Sequence, residues 1–233
     1  MATLKFQNLQ FVYFLDRYHV PDRSAFMTRL KTSLGGGTEM ILPIPDSAPE
    51  DVPLMLLQER DRYEIRIAKG RLDFHFLNDN PARTTNEIVQ NFRPLNQRVY
   101  EILLDRTSFE IRDVGFIIRS LSNDAVVPNA HIRSLFGADP NLNFEETSDM
   151  LIRNLKKQDV LISGNTVKFN EIVTLQTSDN PAGGKIVSLE FDMNTFPKEH
   201  PVTVNNNFVE ELITEVSNKN ERRTTWLSEI LNS

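Results

Sequence analysis

Three groups of residues in this chain have types and spacings that could do chemistry. Glu190 and Asp192 stand two apart in "KIVSLEFDMN", which as a strand puts both carboxylates on one face with Ile186 and Ser188. Neighbouring acids raise one another's pKa, so such a pair can divide into a general acid and a base, or perch a magnesium ion. Arg62, Arg66 and Arg71 recur with His75 through "RYEIRIAKGRLDFHF", a spacing that could track a phosphate backbone. Lys219, Arg222 and Arg223 cluster beside Glu215 and Glu221, where pairing along a helix is the expected use.

Other chemistries lack their residues. The 233-residue chain has no cysteine, which excludes disulfides, thiolate nucleophiles and Cys-ligated zinc. His19, His75, His131 and His200 fall on different elements without the spacing of a metal pair, so neither a metal nor a cofactor is expected. Gly35-Gly36-Gly37 follows a helical stretch and has no Lys-Ser/Thr sequel, which makes it a helix stop and not a phosphate loop. No G-x-S-x-G elbow is present.

Residues 1–104 carry 13 Lys plus Arg against 13 Asp plus Glu, and residues 105–233 carry 13 against 19. The net charge of −6 therefore sits in the second half and disfavours nucleic acid, whose binding draws most of its affinity from released counterions. No run of eighteen apolar residues is present, and the first ten residues lack a basic segment followed by an apolar one. A cytoplasmic protein is the expectation.

The elements that must position these groups follow from periodicity. In "RYEIRIAKGRLDFHF", Tyr63, Ile65 and Ile67, then Leu72, Phe74 and Phe76, alternate with polar residues around Lys69-Gly70, the pattern of a hairpin with a tight primed turn. Setting Ala68 opposite Arg71 places Ile65 against Phe74, Arg66 against Asp73 and Glu64 against His75. One face is then apolar, and the other is sorted into opposite-charge pairs that stabilise a solvated sheet surface. "TLKFQNLQFVYFLD" alternates as a first strand, and "PDRSAFMTRLKTSL" is a helix with Phe26, Leu30 and Leu34 inward. "TEMILPIP" and "VPLMLLQER" are two further strands. "ARTTNEIVQNFRPLNQRVYEILLDR" is a helix capped at Thr84 or Thr85, with Ile88, Phe92, Leu95, Val99 and Leu103 inward and Pro94 kinking it.

The second half repeats that order. "SFEIRDVGFIIRSL" is a strand, "VPNAHIRSLF" a short helix and "DMLIRNLKKQ" a strand. "DVLISGNTVKFNEIVTL" is a hairpin turning at Gly164-Asn165, with Ile162 facing Val167. "GKIVSLEFDMN" is a strand, and a long helix closes the chain with Phe208, Leu212 and Val216 inward and Trp226 and Ile230 further along. Phe6, Phe11, Tyr13 and Leu15 echo Phe109, Val114, Phe116 and Ile118 at a constant offset, and "AFMTRL" echoes "AHIRSL". The expected fold is α+β: a curved antiparallel sheet with helices on one side, built from β-α-β4-α repeats over residues 1–105 and 106–233, packed as one unit.

A β-α-β4-α unit present twice resembles the TATA-box-binding-protein-like fold. Separately, "VPLMLLQERDRYEIRIAKGRLDFHF" and "KIVSLEFDMN" are similar to a sporadically distributed, uncharacterised prokaryotic family. That resemblance implies an accessory role such as microbial conflict or defence, and brings no catalytic residues with it. The fold itself hosts several kinds of function. Within the residues, Phe116 and Ile118 on one face of their strand and Ile111, Ile117 and Leu121 on the other leave apolar surface for a partner, as does Trp226. The expectation is a non-catalytic binding or scaffold subunit recognising a protein, which could be a second copy, with Arg62, Arg66, Arg71, His75 and Trp226 as partner-binding residues. The alternatives are a nucleic-acid-binding saddle using the three arginines, and a small enzyme built around Glu190 and Asp192.

Overall fold

The computed structural model describes residues 4–45, 47–78, 80, 82–105, 108–122, 150–180, 185–195 and 203–232. The first half forms β1 (Leu4–Tyr18), α1 (Arg23–Leu34), β2 (Thr38–Ile41), β3 (Met55–Glu59), β4 (Tyr63–Ile67), β5 (Arg71–Leu77) and α2 (Thr85–Leu103). The second forms β6 (Phe109–Ser122), β7 (Met150–Ile162), β8 (Asn165–Asp179), β9 (Lys185–Thr195) and α3 (Asn206–Leu231). All strands join one nine-stranded sheet in the order β2-β3-β4-β5-β1-β6-β9-β8-β7. Every pairing is antiparallel, so the protein is α+β with a single curved sheet.

The two halves meet along β1 and β6, and each half runs outward from its own first strand to its own outermost hairpin. The helices cover one face. Phe92 of α2 sits over the centre of the sheet, with its ring 5.2 Å from Phe74, 5.7 Å from Phe116, 6.0 Å from Phe76 and 6.4 Å from Phe11. It bridges both halves of the core, and truncating such a ring to Ala costs about 3–5 kcal/mol. Tyr13 donates its buried hydroxyl to Asn96 Oδ1 at 3.1 Å, which satisfies a polar tip inside this layer. Phe208 of α3 stacks on Phe169 of β8 at 6.4 Å, extending the layer toward the far side.

Local chemistry explains the element ends. Asp22 caps α1 by accepting from the Ala25 amide, and Gly35 closes it at φ 86°, with its own amide and that of Gly36 returning to Lys31. Thr84 and Glu87 form a reciprocal capping box at the start of α2. The β4–β5 register is the one expected, from Tyr63 opposite Phe76 to Ile67 opposite Leu72, with Ala68 donating to the Arg71 carbonyl. Its turn differs in mechanism. Gly70 is not among the positive-φ residues. Its amide donates to Glu50 O and its carbonyl accepts from Leu15, and a Cβ there would lie 3.3 Å from the Glu50 Cβ. The glycine permits a close backbone approach.

Two strand boundaries in the second half also differ from the sequence reading. Met150–Ile162 is one continuous strand, where the sequence divides at Gln158-Asp159 into two polar-edged pieces. The following turn is Ser163-Gly164 at φ 50° and 76°, the primed two-residue geometry, so Ile162 opposes Asn165 and Val160 opposes Val167. That slip of two positions leaves every face assignment unchanged. The expected helix over 127–136, His131 and His200 lie outside the described residues.

Candidate protein interface

The three arginines singled out in the first half, Arg66 and Arg71 on the sheet face opposite the helices and Arg62 in the turn before β4, each have a carboxylate partner nearby. Arg62 pairs with Glu59 at 2.9 Å, Arg66 with Glu64, and Arg71 with Asp73. Asp73 is buried, and it also accepts from Gln10 Nε2 at 2.8 Å. Arg66 does oppose Asp73 across the hairpin, as the sequence implies, but each guanidinium turns along its own strand to a carboxylate two residues away. The reason is reach: residues i and i+2 share a face, and Asp73 is already taken from both sides.

His75 is half-buried, not on a wet surface. Burial is the main cause of its lowered pKa, helped by Arg66 and Arg119 and opposed by Asp73 and Glu64, so the ring is neutral at pH 7.

In the second half of the same face, the candidate acids are separated chemically. Arg119 donates to Glu190 at 2.7 Å and to Asn8 and Gln10 at 3.2 Å. Asp192 lies in register between Ile117 of β6 and Ile172 of β8. Desolvation raises its pKa first, against the hydrogen bond from Asn194 Nδ2 at 3.1 Å and the charges of Arg153 and Arg119, with Glu190 adding to the rise. The pair thus holds one ion-paired carboxylate and one carboxyl of raised pKa, which is the raw material of acid–base chemistry. Among the described residues, no group of three or more His, Asp or Glu is gathered so as to hold a metal ion. A cleft of about 1160 Å³ lies elsewhere, at the end of β1, lined by Asp16, His19, Asp22, Lys69 and Arg112 among others. Arg112 there is spanned by Asp16 at 3.0 Å and Asp113 at 2.7 Å.

Trp226 is 58% exposed on the outer side of α3. The sequence offers it as a partner-binding residue beyond the inward line of Phe208, Leu212 and Val216. In the structure that line continues from Val216 through Asn220 to Leu227 and Leu231, the last two packing on Val187 and Leu189.

The largest departure from a self-contained surface is β7. Leu151, Ile152, Leu155 and Leu161 are 62%, 41%, 55% and 71% exposed, four of the eight exposed large hydrophobics among the described residues. Leu151, Leu155 and Leu161 fall on the face away from the helices, and Ile152 on the other. Sequence periodicity misses this because it reports which face of a strand is apolar and not where the strand stands in the sheet.

A second missed feature is Glu171. It is buried on the helix side of β8, where it accepts from Lys219 at 3.2 Å, from Arg223 and from Gln158. Burial raises its pKa, but Arg223, Lys219 and Gln158 together overcome this and hold it below the usual value. Lys219 also keeps the expected helical partner Glu215 at 3.3 Å. The sequence signal was parity: Glu171 occupies an inward position in line with Phe169 and Val173. Among the described residues, no helix is long and apolar enough to cross a membrane. No family model matches this chain, and no curated protein matches it.

Proposed function

We propose that this chain is a non-catalytic binding or scaffold subunit that recognises a protein partner through β7. The observation that carries the reading is the coincidence on one outermost strand of thirteen residues, apolar side chains exposed on both faces and, among the described residues, no strand on its outer side. A long outer strand offers a row of backbone donors and acceptors, and a partner strand supplies affinity through them while alternate side chains supply specificity. The arginines that a nucleic-acid saddle would use are bound to Glu59, Glu64 and Asp73, which removes much of their gain from phosphate contact. Glu190 and Asp192 serve the sheet as an ion pair to Arg119 and a hydrogen bond from Asn194.

Affinity purification of the native protein beside a Leu155→Asp variant tests this. A protein recovered with the wild type, whether a foreign chain or an untagged copy, should be lost with the variant. Duplex DNA binding at physiological salt that disappears on Arg66→Ala and Arg71→Ala would overturn it.

A further inference from the structure

The order of residues along β7 names the partner. Met150–Ile162 reads MLIRNLKKQDVLI, and it is self-complementary when reversed about Lys156. Antiparallel pairing of two copies about a two-fold axis at Lys156 sets Leu151 opposite Leu161, Ile152 opposite Val160, Arg153 opposite Asp159 and Asn154 opposite Gln158. Each contact occurs twice. Residues directly opposite in antiparallel strands point to the same face, so the Leu151–Leu161 and Arg153–Asp159 pairs lie on the side away from the helices. The Ile152–Val160 pair lies on the helix side. We infer that the protein forms a two-fold homodimer in which β7 pairs with β7 of a second copy, making one continuous sheet. This rests on the reading of β7 as a protein-binding strand and specifies what binds there.

Charge selects the register. Centring the axis on Leu155 sets Arg153 against Lys157 and Leu151 against Asp159. Centring it on Lys157 sets Arg153 against Leu161 and Leu155 against Asp159. Centring it on Gln158 sets Leu155 against Leu161 and Lys157 against Asp159, but it overlaps only residues 154–162 and opposes Lys156 to Val160 and Asn154 to Ile162. The Lys156 centre alone engages the whole strand while matching Leu151 with Leu161, Ile152 with Val160 and Arg153 with Asp159, and like charges opposed across strands are destabilising. Two positions fit less well. Leu155 meets Lys157, whose methylene stem can cover it, and the two Lys156 side chains meet at the axis, where both are exposed and can diverge. The two apolar residues that pair at each end, Leu151 and Leu161, are also the two most exposed of the strand's apolar side chains. Their burial supplies the driving force, and the charge pairs fix alignment.

The test is sedimentation equilibrium of the wild type, Arg153→Asp, Asp159→Arg, the double exchange, and an equimolar mixture of the two single variants. Self-pairing requires a wild-type dimer. Each single reversal should weaken it by roughly tenfold or more, because two attractive pairs become repulsive. The double exchange should restore association to within about threefold of wild type. The mixture should form heterodimers where neither variant dimerises alone, a result that misfolding cannot imitate. A wild type that stays monomeric through the millimolar range, or a dimer indifferent to both reversals, overturns the inference. In the monomeric case, a foreign protein captured by wild type and lost with Leu155→Asp leaves the protein-binding reading standing. Capture of nothing sinks both.

Discussion

Among the described residues, the sheet ends in two very different strands. β2 has four residues and is followed within the next four by Pro43 and Pro45, which lack the amide a neighbouring strand would need. β7 has thirteen residues and no proline. Both expose apolar side chains, Met40 and Ile41 on one and Leu151, Ile152, Leu155 and Leu161 on the other. Only β7 offers enough aligned backbone to hold a partner in register. Exposure alone therefore says little about binding. Exposure on a long strand with no breaker residue is the informative combination.

The inner strands β4 and β5 and the outer strand β7 differ in kind, and identical substitutions should break them unequally. Ile65→Asp and Phe74→Asp bury an unpaired charge in the core beneath Phe92 and should each cost several kcal/mol in urea denaturation. Leu155→Asp makes the same change in kind on β7. Measured on the monomer at low concentration, it should move stability by no more than about 0.5 kcal/mol. If Leu155→Asp destabilises the monomer as Phe74→Asp does, the side chain is covered within its own chain and the contrast between the ends collapses.

The next effect separates buried from exposed charge. Glu171→Gln removes the anion that Lys219 and Arg223 share under α3 and should cost about 2 kcal/mol at pH 7. Its pKa is depressed in the folded protein, so its contribution is present above the ordinary value of 4.5 and is lost as pH falls through the lower folded value. The stability difference between wild type and Glu171→Gln should accordingly shrink below pH 4.5.

Smaller effects belong to the ion-paired face. His75→Ala and Arg66→Ala should each cost under about 1 kcal/mol, the usual worth of partly exposed pairs. The folded pKa of His75 lies below 6.5, so its contribution is present above that pH and is lost on acidification. Asp192→Asn should stabilise at pH 7 by under about 1 kcal/mol, since a half-buried carboxylate is costly when charged. Because the Asp192 pKa is raised, that gain should vanish below pH 3.8, where the wild-type side chain is protonated in folded and unfolded chains alike. A loss of stability in Asp192→Asn would show that Arg153 and Arg119 outweigh desolvation.

How much was legible follows from what periodicity measures. Alternation placed Ile65, Ile67, Leu72 and Phe74 inward and set the β4–β5 register residue for residue, because a one-position slip would have exposed the whole set. It put Glu190 and Asp192 on one face correctly. It could not distinguish their environments, which depend on Arg119 and on Ile117 and Ile172 arriving from neighbouring strands. Nor could it show that Trp226 lies outside the helix contact, because the inward line of α3 drifts over a run with few large apolar residues between Val216 and Leu227. The palindromic character of β7 was present in the sequence throughout. It acquires meaning only once the strand is known to stand outermost.

Amide hydrogen exchange along β7, followed as protein concentration rises, is the most direct measurement. One set of β7 amides bonds to β8, and the alternate set faces outward. Self-pairing about Lys156 requires the outward set to gain protection with concentration, at Met150–Ile162 and not at Thr38–Ile41, as population shifts into the dimer. Outward amides of β7 that exchange as fast as exposed loop amides at every concentration would contradict the account.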